Sequence, residues 1–400
     1  MSDNAKKTAL LLPIITVLSL CFADALTNYL TPAMADFANL YPAVEPALVA
    51  QIISVPTLFY MISSVVAGGM ADKFGYKPML IAGLTLILVG GMVPMALSDF
   101  TVVLIFRAVF GLGIGICMAL SKALIALMFE GELRARLYGY QNTLGTVIMA
   151  GLQILAGYVV VVNARAAYAI HGVAAIALVM VIFVLKEPEK KTETAVQKDA
   201  ENQSAGRAHV PALALILIIM FTLRALPMIT IMLNTSGMLL ELGVGDASTG
   251  GLVSACMTGG TLAAGVLFVY SERIFKNYTA AAGLTIEIIG GLLMSFGTSV
   301  PVFILSYILM GFGMITFAPA MNVIVAKTTP KAAMGTAMGL LVSIPYLANF
   351  VAPYYMLTVQ KILANYTTQG MFKVGVAIQV VLAVILYYIC IKKKNEILAD

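Results

Sequence analysis

Five charged residues sit inside long apolar runs of this chain: Asp24, Arg107, Lys122, Arg224 and Glu287. Even on the mildest scale an ion at the centre of a bilayer costs about 2.5 kcal/mol, so such charges are kept for partners, protons or solutes. Asp24 shares a helical face with Thr27 and Asn28. It is the candidate proton carrier, because a carboxylate desolvated beside a cation can be tuned to titrate near neutral pH. Arg224 is followed three residues later by Pro227, which loosens the helix and frees backbone groups near the charge. Its guanidinium offers a bidentate grip on a carboxylate or phosphate of the substrate; a static bridge to Asp24 is the competing reading. Lys122 lies about 22 Å below Arg107 along one helix at 1.5 Å per residue and either faces a cavity or snorkels to the headgroups. Glu287 is either a second proton site or a group bonded to a neighbouring helix. Gln141, Asn142, Asn322 and Asn349 add neutral hydrogen-bonding groups, and Tyr29, Tyr140 and Tyr346 either line the cavity or simply pack.

The elements that must hold these residues follow from composition. With 61% hydrophobic and 11% charged residues, the chain has far more apolar surface than a single globular core buries, so it belongs in a bilayer. Apolar runs of roughly 20 residues, long enough to cross the hydrocarbon as helices, recur twelve times; the first is 9–34, the fifth 138–161, the ninth 278–297 and the last 371–391. Lys and Arg concentrate in alternate gaps, starting with Lys6 and Lys7 and including Lys73, Lys77, Arg134, Arg136, Arg273, Lys276 and Lys327. By the positive-inside bias both termini face the cytoplasm. The net charge of +5 therefore reflects topology and not a nucleic-acid partner. No cleavable signal peptide is expected, the first run being too long. Cys21, Cys117, Cys256 and Cys390 all fall inside spans, where they read as small packing residues. The polar stretch from Lys186 to His209 is a linker, giving an N-terminal six-helix bundle (1–185), a cytoplasmic linker (186–209) and a C-terminal six-helix bundle with a short tail (210–400).

The halves repeat at a constant offset of 200 residues: Asp24 and Arg224, Asp72-Lys73 and Glu272-Arg273, Gly111 and Gly311, Gly113 and Gly313, Gly139 and Gly339. An even number of helices per unit makes the copies parallel repeats, with the substrate path expected between them. The glycines permit close helix contact.

The stretch Gly68-Gly69-Met70-Ala71-Asp72-Lys73-Phe74-Gly75-Tyr76-Lys77 resembles the loop signature of the major facilitator superfamily. Arg107 to Gly115 resembles a second signature, with Phe110 in place of the usual glutamine, and within the superfamily the chain looks most like the twelve-span drug:proton antiporter type. The fifth span departs from that type, with Gly145, Gly151 and Gly157 at six-residue intervals and no proline. The resemblance implies twelve helices in two parallel repeats. It implies that Gly68, Asp72, Lys73, Gly75 and Lys77 gate the cytoplasmic side together with Arg134 and Arg136. It also packs spans one and four together, making Asp24 and Arg107 a charge pair that is either proton-releasing or purely structural, and it puts Glu287 on an outer scaffold helix. Gly68 is expected at a close helix contact, and Asp72 where it meets helix N-termini.

The reading is a non-enzymatic secondary active transporter of the plasma membrane, working by alternating access. It moves a small organic anion or amphipathic solute with protons, acting as a monomer without cofactor, metal or nucleic acid. Arg224, Asn28, Lys122, Asn322, Tyr29 and Tyr140 are assigned to substrate, and Asp24, Arg107 and Glu287 to proton coupling. A multidrug efflux antiporter, which the 24 methionines would suit, a lipid flippase and a membrane sensor remain as alternatives.

Overall fold

Prolines, glycines and short polar side chains decide where the apolar runs turn. The computed structural model describes residues 12–187, 210–330, 333–363 and 367–392. Lys6, Lys7, the tail lysines after Lys392 and the expected linker beyond Glu187 lie outside the described residues.

The first group of helices is α1 (Leu12–Ala25), α2 (Gln51–Phe74), α3 (Tyr76–Met92), α4 (Phe100–Met128), α5 (Gly131–Val162) and α6 (Ala174–Phe183). The second is α7 (Ala212–Glu241), α8 (Ala247–Phe275), α9 (Thr279–Phe296), α10 (Val300–Lys327), α11 (Met334–Ile362) and α12 (Thr368–Lys392). No strand occurs among the described residues. Ten helical segments there are long and apolar enough to cross a membrane, and a helix satisfies its own backbone groups where no water can.

The first expected span is not continuous. Its helix ends at Ala25, the chain turns through 26–30, and a 3-10 turn at Thr31–Ala33 leads into a short helix, Met34–Leu40. Two local causes are visible. Pro32 has no N–H to extend a helix, and Thr31 spends its hydroxyl on the carbonyl of Asn28 at 3.1 Å. The fifth helix begins earlier than expected, at Gly131, so that Arg134 and Arg136 ride on its first turns. Before α6 the chain runs as a 3-10 helix, Ala164–Val173, capped by the Asn163 side chain, which accepts from the Arg165 N–H.

The chain forms two compact units: Met1–Glu189 with Asp246–Ala255, and Lys190–Gly245 with Cys256–Asp400. The first turns of α8 thus pack in the first unit, where Gly251 lies so close to α5 that a methyl group on it would meet the Gln153 carbonyl oxygen at 2.5 Å. In the first unit Phe37 and Tyr168 stack at 5.1 Å within the core. The core of the second unit gathers Leu217, Leu284, Phe317, Met321, Leu341 and Leu386.

The repeat is written into backbone contacts. A methyl on Gly113 would lie 2.5 Å from the Gly83 carbonyl oxygen, and one on Gly313 would lie 2.6 Å from that of Gly283. Both pairs obey the 200-residue offset, so α3–α4 and α9–α10 touch through the same small residues in each unit. Between membrane helices, where apolar side chains gain little by leaving lipid, such close backbone approach is a main source of attraction. Gly68 does not take part, since a side chain there would meet nothing within 4 Å; the close contact expected of it is corrected.

Candidate functional site

In the first unit the buried polar chemistry divides into two places. Arg107, 1% exposed, donates from Nε to the Ile52 carbonyl at 2.7 Å and from Nη1 to His171 Nε2 at 2.9 Å, and it lies over the Phe110 ring at 4.1 Å. A guanidinium can only donate, so His171 Nε2 accepts and the ring proton sits on Nδ1. That N–H points at the Tyr168 carbonyl, 2.9 Å away, and at the Tyr29 oxygen, 2.7 Å away. The Tyr29 hydroxyl in turn donates to the Ala167 carbonyl at 3.0 Å. One neutral histidine thereby joins α4 to the segment after α1 and to the 3-10 turn before α6.

This arrangement corrects two expectations. Arg107 is not paired with Asp24; among the described residues no carboxylate bonds to it. The expected pair requires a continuous first span, but the helix stops one residue after Asp24, and Tyr29, beyond the break, reaches the cluster instead. Tyr29 itself is fully buried among these partners and does not face a cavity. His171 is a partner that the sequence does not point to, since its separation of 64 residues from Arg107 carries no local signal.

The second place is where α1, α4 and α5 meet. Asp24 is half-buried and no hydrogen bond to its carboxylate occurs among the described residues. A methyl on Gly145 would sit 2.9 Å from its Oδ2, so this glycine of the six-residue series makes room for the carboxylate. The cation that bears on Asp24 is Lys122 of α4, an exposed residue. One turn before Gly145, the buried Gln141 donates to Ser121 Oγ and, at 3.3 Å, to the Val17 carbonyl. Tyr138 donates to the Lys122 carbonyl at 2.9 Å. Positions 138, 141 and 145 form one face of α5, and they set the floor on which Asp24 rests. Asn28 contributes its carbonyl, which accepts from Gln153 at 3.5 Å. Tyr140 is 54% exposed and turned off this face, and Asn142 is exposed as well.

In the second unit Arg224 and Glu287 form an ion pair of 2.5 Å, 4% and 1% exposed. Gln379 of α12 completes it, donating to Glu287 Oε1 at 3.0 Å and to the Arg224 carbonyl at 3.3 Å. Phe317 and Phe221 flank the guanidinium at 4.6 and 5.4 Å, and its Nε is buried without an acceptor. Arg224 therefore does not stand free to grip an anion, since Glu287 of its own unit engages it. Glu287 is bonded to neighbouring helices, the second of the two fates open to it. Asn322 is exposed on α10, 200 residues from the equally exposed Lys122.

At the loop signature, Gly75 adopts φ +97°, a left-handed conformation natural to glycine. A side chain there would strike the carboxylate of Glu187, 3.1 Å away. That carboxylate accepts from the Tyr76 and Lys77 N–H groups at 2.5 and 2.9 Å, capping α3 where unpaired donors and the helix dipole favour an anion. The helix N-terminus expected to meet Asp72 is thus taken by Glu187. Among the described residues, the exposed Asp72 carboxylate accepts only from Tyr76 Oη at 3.3 Å. The expected contact of Asp72 with Arg134 and Arg136 is also corrected, since Arg134 donates to the Phe129 carbonyl at 2.7 Å and Arg136 pairs with Glu132 at 2.6 Å. Lys73 lies over the Phe74 ring at 5.3 Å. No group of three or more metal-binding side chains occurs among the described residues.

Comparison with known proteins agrees with this architecture. The profile of the Major Facilitator Superfamily matches residues 14–391. The quinolone resistance protein NorA of Staphylococcus aureus is 28% identical over 145 residues, 35% of this chain and 37% of NorA; the match thus spans little more than a third of that relative. The multidrug resistance protein MdtL of Citrobacter koseri is 24% identical over 267 residues, 64% of this chain and 66% of MdtL. A solved bacterial homologue of the human lysosomal transporter Spinster superposes over all of both chains with a TM-score of 0.75 at 14% identity, a likeness of fold.

Proposed function

The chain belongs to the Major Facilitator Superfamily, and from that premise we propose that it is a secondary active transporter of the plasma membrane, working by alternating access and coupled to protons through Asp24. One observation carries the coupling. Of the intramembrane carboxylates, Glu287 has its bonds filled by Arg224 and Gln379, whereas the half-buried carboxylate of Asp24 accepts no hydrogen bond among the described residues. A carboxylate held by proximity alone can exchange a proton without breaking a bonded network. Lys122 is the neighbouring charge that such an exchange would release.

The solute is a small amphipathic organic compound. Lys122 replaces Arg224 as the group to meet an anionic end, because the guanidinium of Arg224 is occupied. Asn28 in the first unit and Asn322 in the second are the neutral groups assigned to the solute, and Gly75 with Glu187, together with Asp72, Lys73 and Lys77, controls the cytoplasmic side. The N-terminal and C-terminal bundles are the two moving bodies, both termini lie in the cytoplasm, and the chain works as a monomer.

The experiment is uptake or extrusion by purified protein in liposomes under an imposed pH gradient. Asp24→Asn is expected to abolish gradient-driven accumulation while solute exchange across the membrane persists. Accumulation indifferent to both the gradient and Asp24→Asn overturns the coupling. Multidrug export is the second reading, favoured by the names of NorA and MdtL. Transport of several unrelated cations by the same preparation would select it.

A further inference from the structure

A carboxylate closes one corner of the second unit, and the counterpart of that corner in the first unit lacks one. Where α7 ends, Glu241 accepts from both donors of Thr368, the N–H at 3.1 Å and the hydroxyl at 2.5 Å, and so ties α7 to the start of α12. Two hundred residues earlier the same two positions hold Tyr41 and Tyr168, 4% and 0% exposed. Both hydroxyls are buried without a hydrogen-bond partner among the described residues, and so is Nε of Arg165. Local structure brings the three together. Arg165 and Tyr168 stand three apart on the 3-10 helix Ala164–Val173, where side chains at that spacing eclipse. Phe37 lies one turn before Tyr41 at the end of the helix Met34–Leu40 and stacks on Tyr168 at 5.1 Å. Tyr41 packs on Phe100 at 5.1 Å, while Arg165 donates from Nη2 to Ser98, two residues before Phe100, at 3.1 Å. The charge of Arg165 accordingly bears on both phenols, and that of Arg107 on Tyr168. No carboxylate among the described residues does so, since Asp36 faces Asp246 instead.

We propose that this corner binds a small monovalent anion of chloride size, held by the Tyr41 and Tyr168 hydroxyls and by Nε–H of Arg165. A guanidinium can only donate and a phenol donates readily, so three buried donors meet here with no acceptor, and each donor left so is costly. Charge selects an ion over a water molecule. Arg107 and Arg165 place two cations at the corner without a carboxylate, and an uncompensated charge in such surroundings is what a fold avoids. Size selects a bare ion over an organic acid, because all three donor atoms are enclosed and leave no path for a tail. The ion does for the helix Met34–Leu40 and the 3-10 helix what Glu241 does for α7 and α12. It lies at the end of the first unit opposite the Gly75 corner, apart from Asp24 and Lys122, and is independent of which solute is carried and of proton coupling.

Full-length protein in detergent, exchanged from gluconate into chloride at constant ionic strength, tests this by thermal melting and by broadening of the chlorine-35 NMR line. Chloride is expected to raise the melting temperature saturably and to show the broadened line of a bound ion, whereas gluconate, too large to be enclosed, leaves the protein at its lower melting temperature. Tyr41→Phe and Tyr168→Phe each remove one O–H and keep the ring contacts with Phe100 and Phe37. Each is expected to weaken apparent chloride affinity about tenfold, and the double variant should lose the response. Tyr158→Phe, at a position 63% exposed on α5, should change nothing. The proposal is overturned if the unmutated chain melts alike in the two anions, the result expected of a corner filled by water. It is overturned equally if the double variant keeps the saturable broadening, or if Tyr158→Phe weakens it as much as Tyr168→Phe does. The anion exchange on the unmutated chain decides the matter even where a variant does not fold.

Discussion

Among the described residues each unit buries one arginine, but the two neutralise it by opposite means. In the second unit Arg224 meets a carboxylate, with Gln379 filling the remaining valence of Glu287. In the first, Arg107 meets a carbonyl, an aromatic face and a neutral histidine, and no anion among the described residues. A buried ion pair is unforgiving, because removing one member leaves the other charged in a medium that cannot solvate it. A cation dispersed over dipoles is different, since its removal leaves only unpaired neutral groups. The difference separates the two units into one locked by charge and one held by hydrogen bonds, with Asp24 left available in the latter.

Substitution sharpens this contrast. The largest effect is expected from Arg224→Leu, which strands the Glu287 carboxylate and should lower stability by about 3–5 kcal/mol in the thermal melting of detergent-solubilised protein. The double variant Arg224→Leu/Glu287→Leu should recover most of that loss. Single and double variants that melt alike would break the comparison. Next come Arg107→Leu and His171→Phe, each expected to cost about 1–3 kcal/mol by orphaning neutral partners. Adding Asp24→Asn to Arg107→Leu should be additive to within about 0.5 kcal/mol, as for residues that share no partner; a larger coupling would restore an Asp24–Arg107 ion pair.

The smallest effects concern two carboxylates outside the membrane segments. Hydrogen bonds from Ser248 and from the Thr249 N–H hold Asp246 below the usual carboxylate range. Its contribution is therefore complete above its ordinary value and is lost as pH falls through the depressed one, and Asp246→Ala, which removes the α8 cap, should cost about 1 kcal/mol. Burial pushes Asp36 the other way, with the charge of Asp246 adding to the rise. Its protonated form is favoured in the fold, so its effect on stability declines as pH rises from the ordinary value through the raised one. A pH titration of melting temperature should lose its low-pH limb in Asp246→Ala and its high-pH limb in Asp36→Asn.

The architecture was legible because a duplicated membrane bundle repeats the small residues that set its backbone contacts, and Gly113 and Gly313 mark the same crossing in both copies. The partners of the buried charges were not legible. Arg107 and His171 are 64 residues apart and Arg224 and Glu287 63, and no periodicity links residues on different helices. The expected pairing of Asp24 with Arg107 was not met because the first span breaks after Ala25 and Thr31 with Pro32 starts a separate 3-10 turn, local effects that a long run of apolar residues masks. Glu187 was hidden by its neighbours, since an acidic residue opening a polar stretch reads as solvated until its carboxylate is seen on the N–H groups of Tyr76 and Lys77.

That carboxylate sets a limit on engineering. Any attempt to shorten, sever or replace the connection between the halves must begin after residue 187, because the chain up to that point still belongs to the first bundle and fastens one of its corners. A cut made two residues earlier would take the fastening with it, and the damage would surface at Gly75, more than a hundred positions upstream.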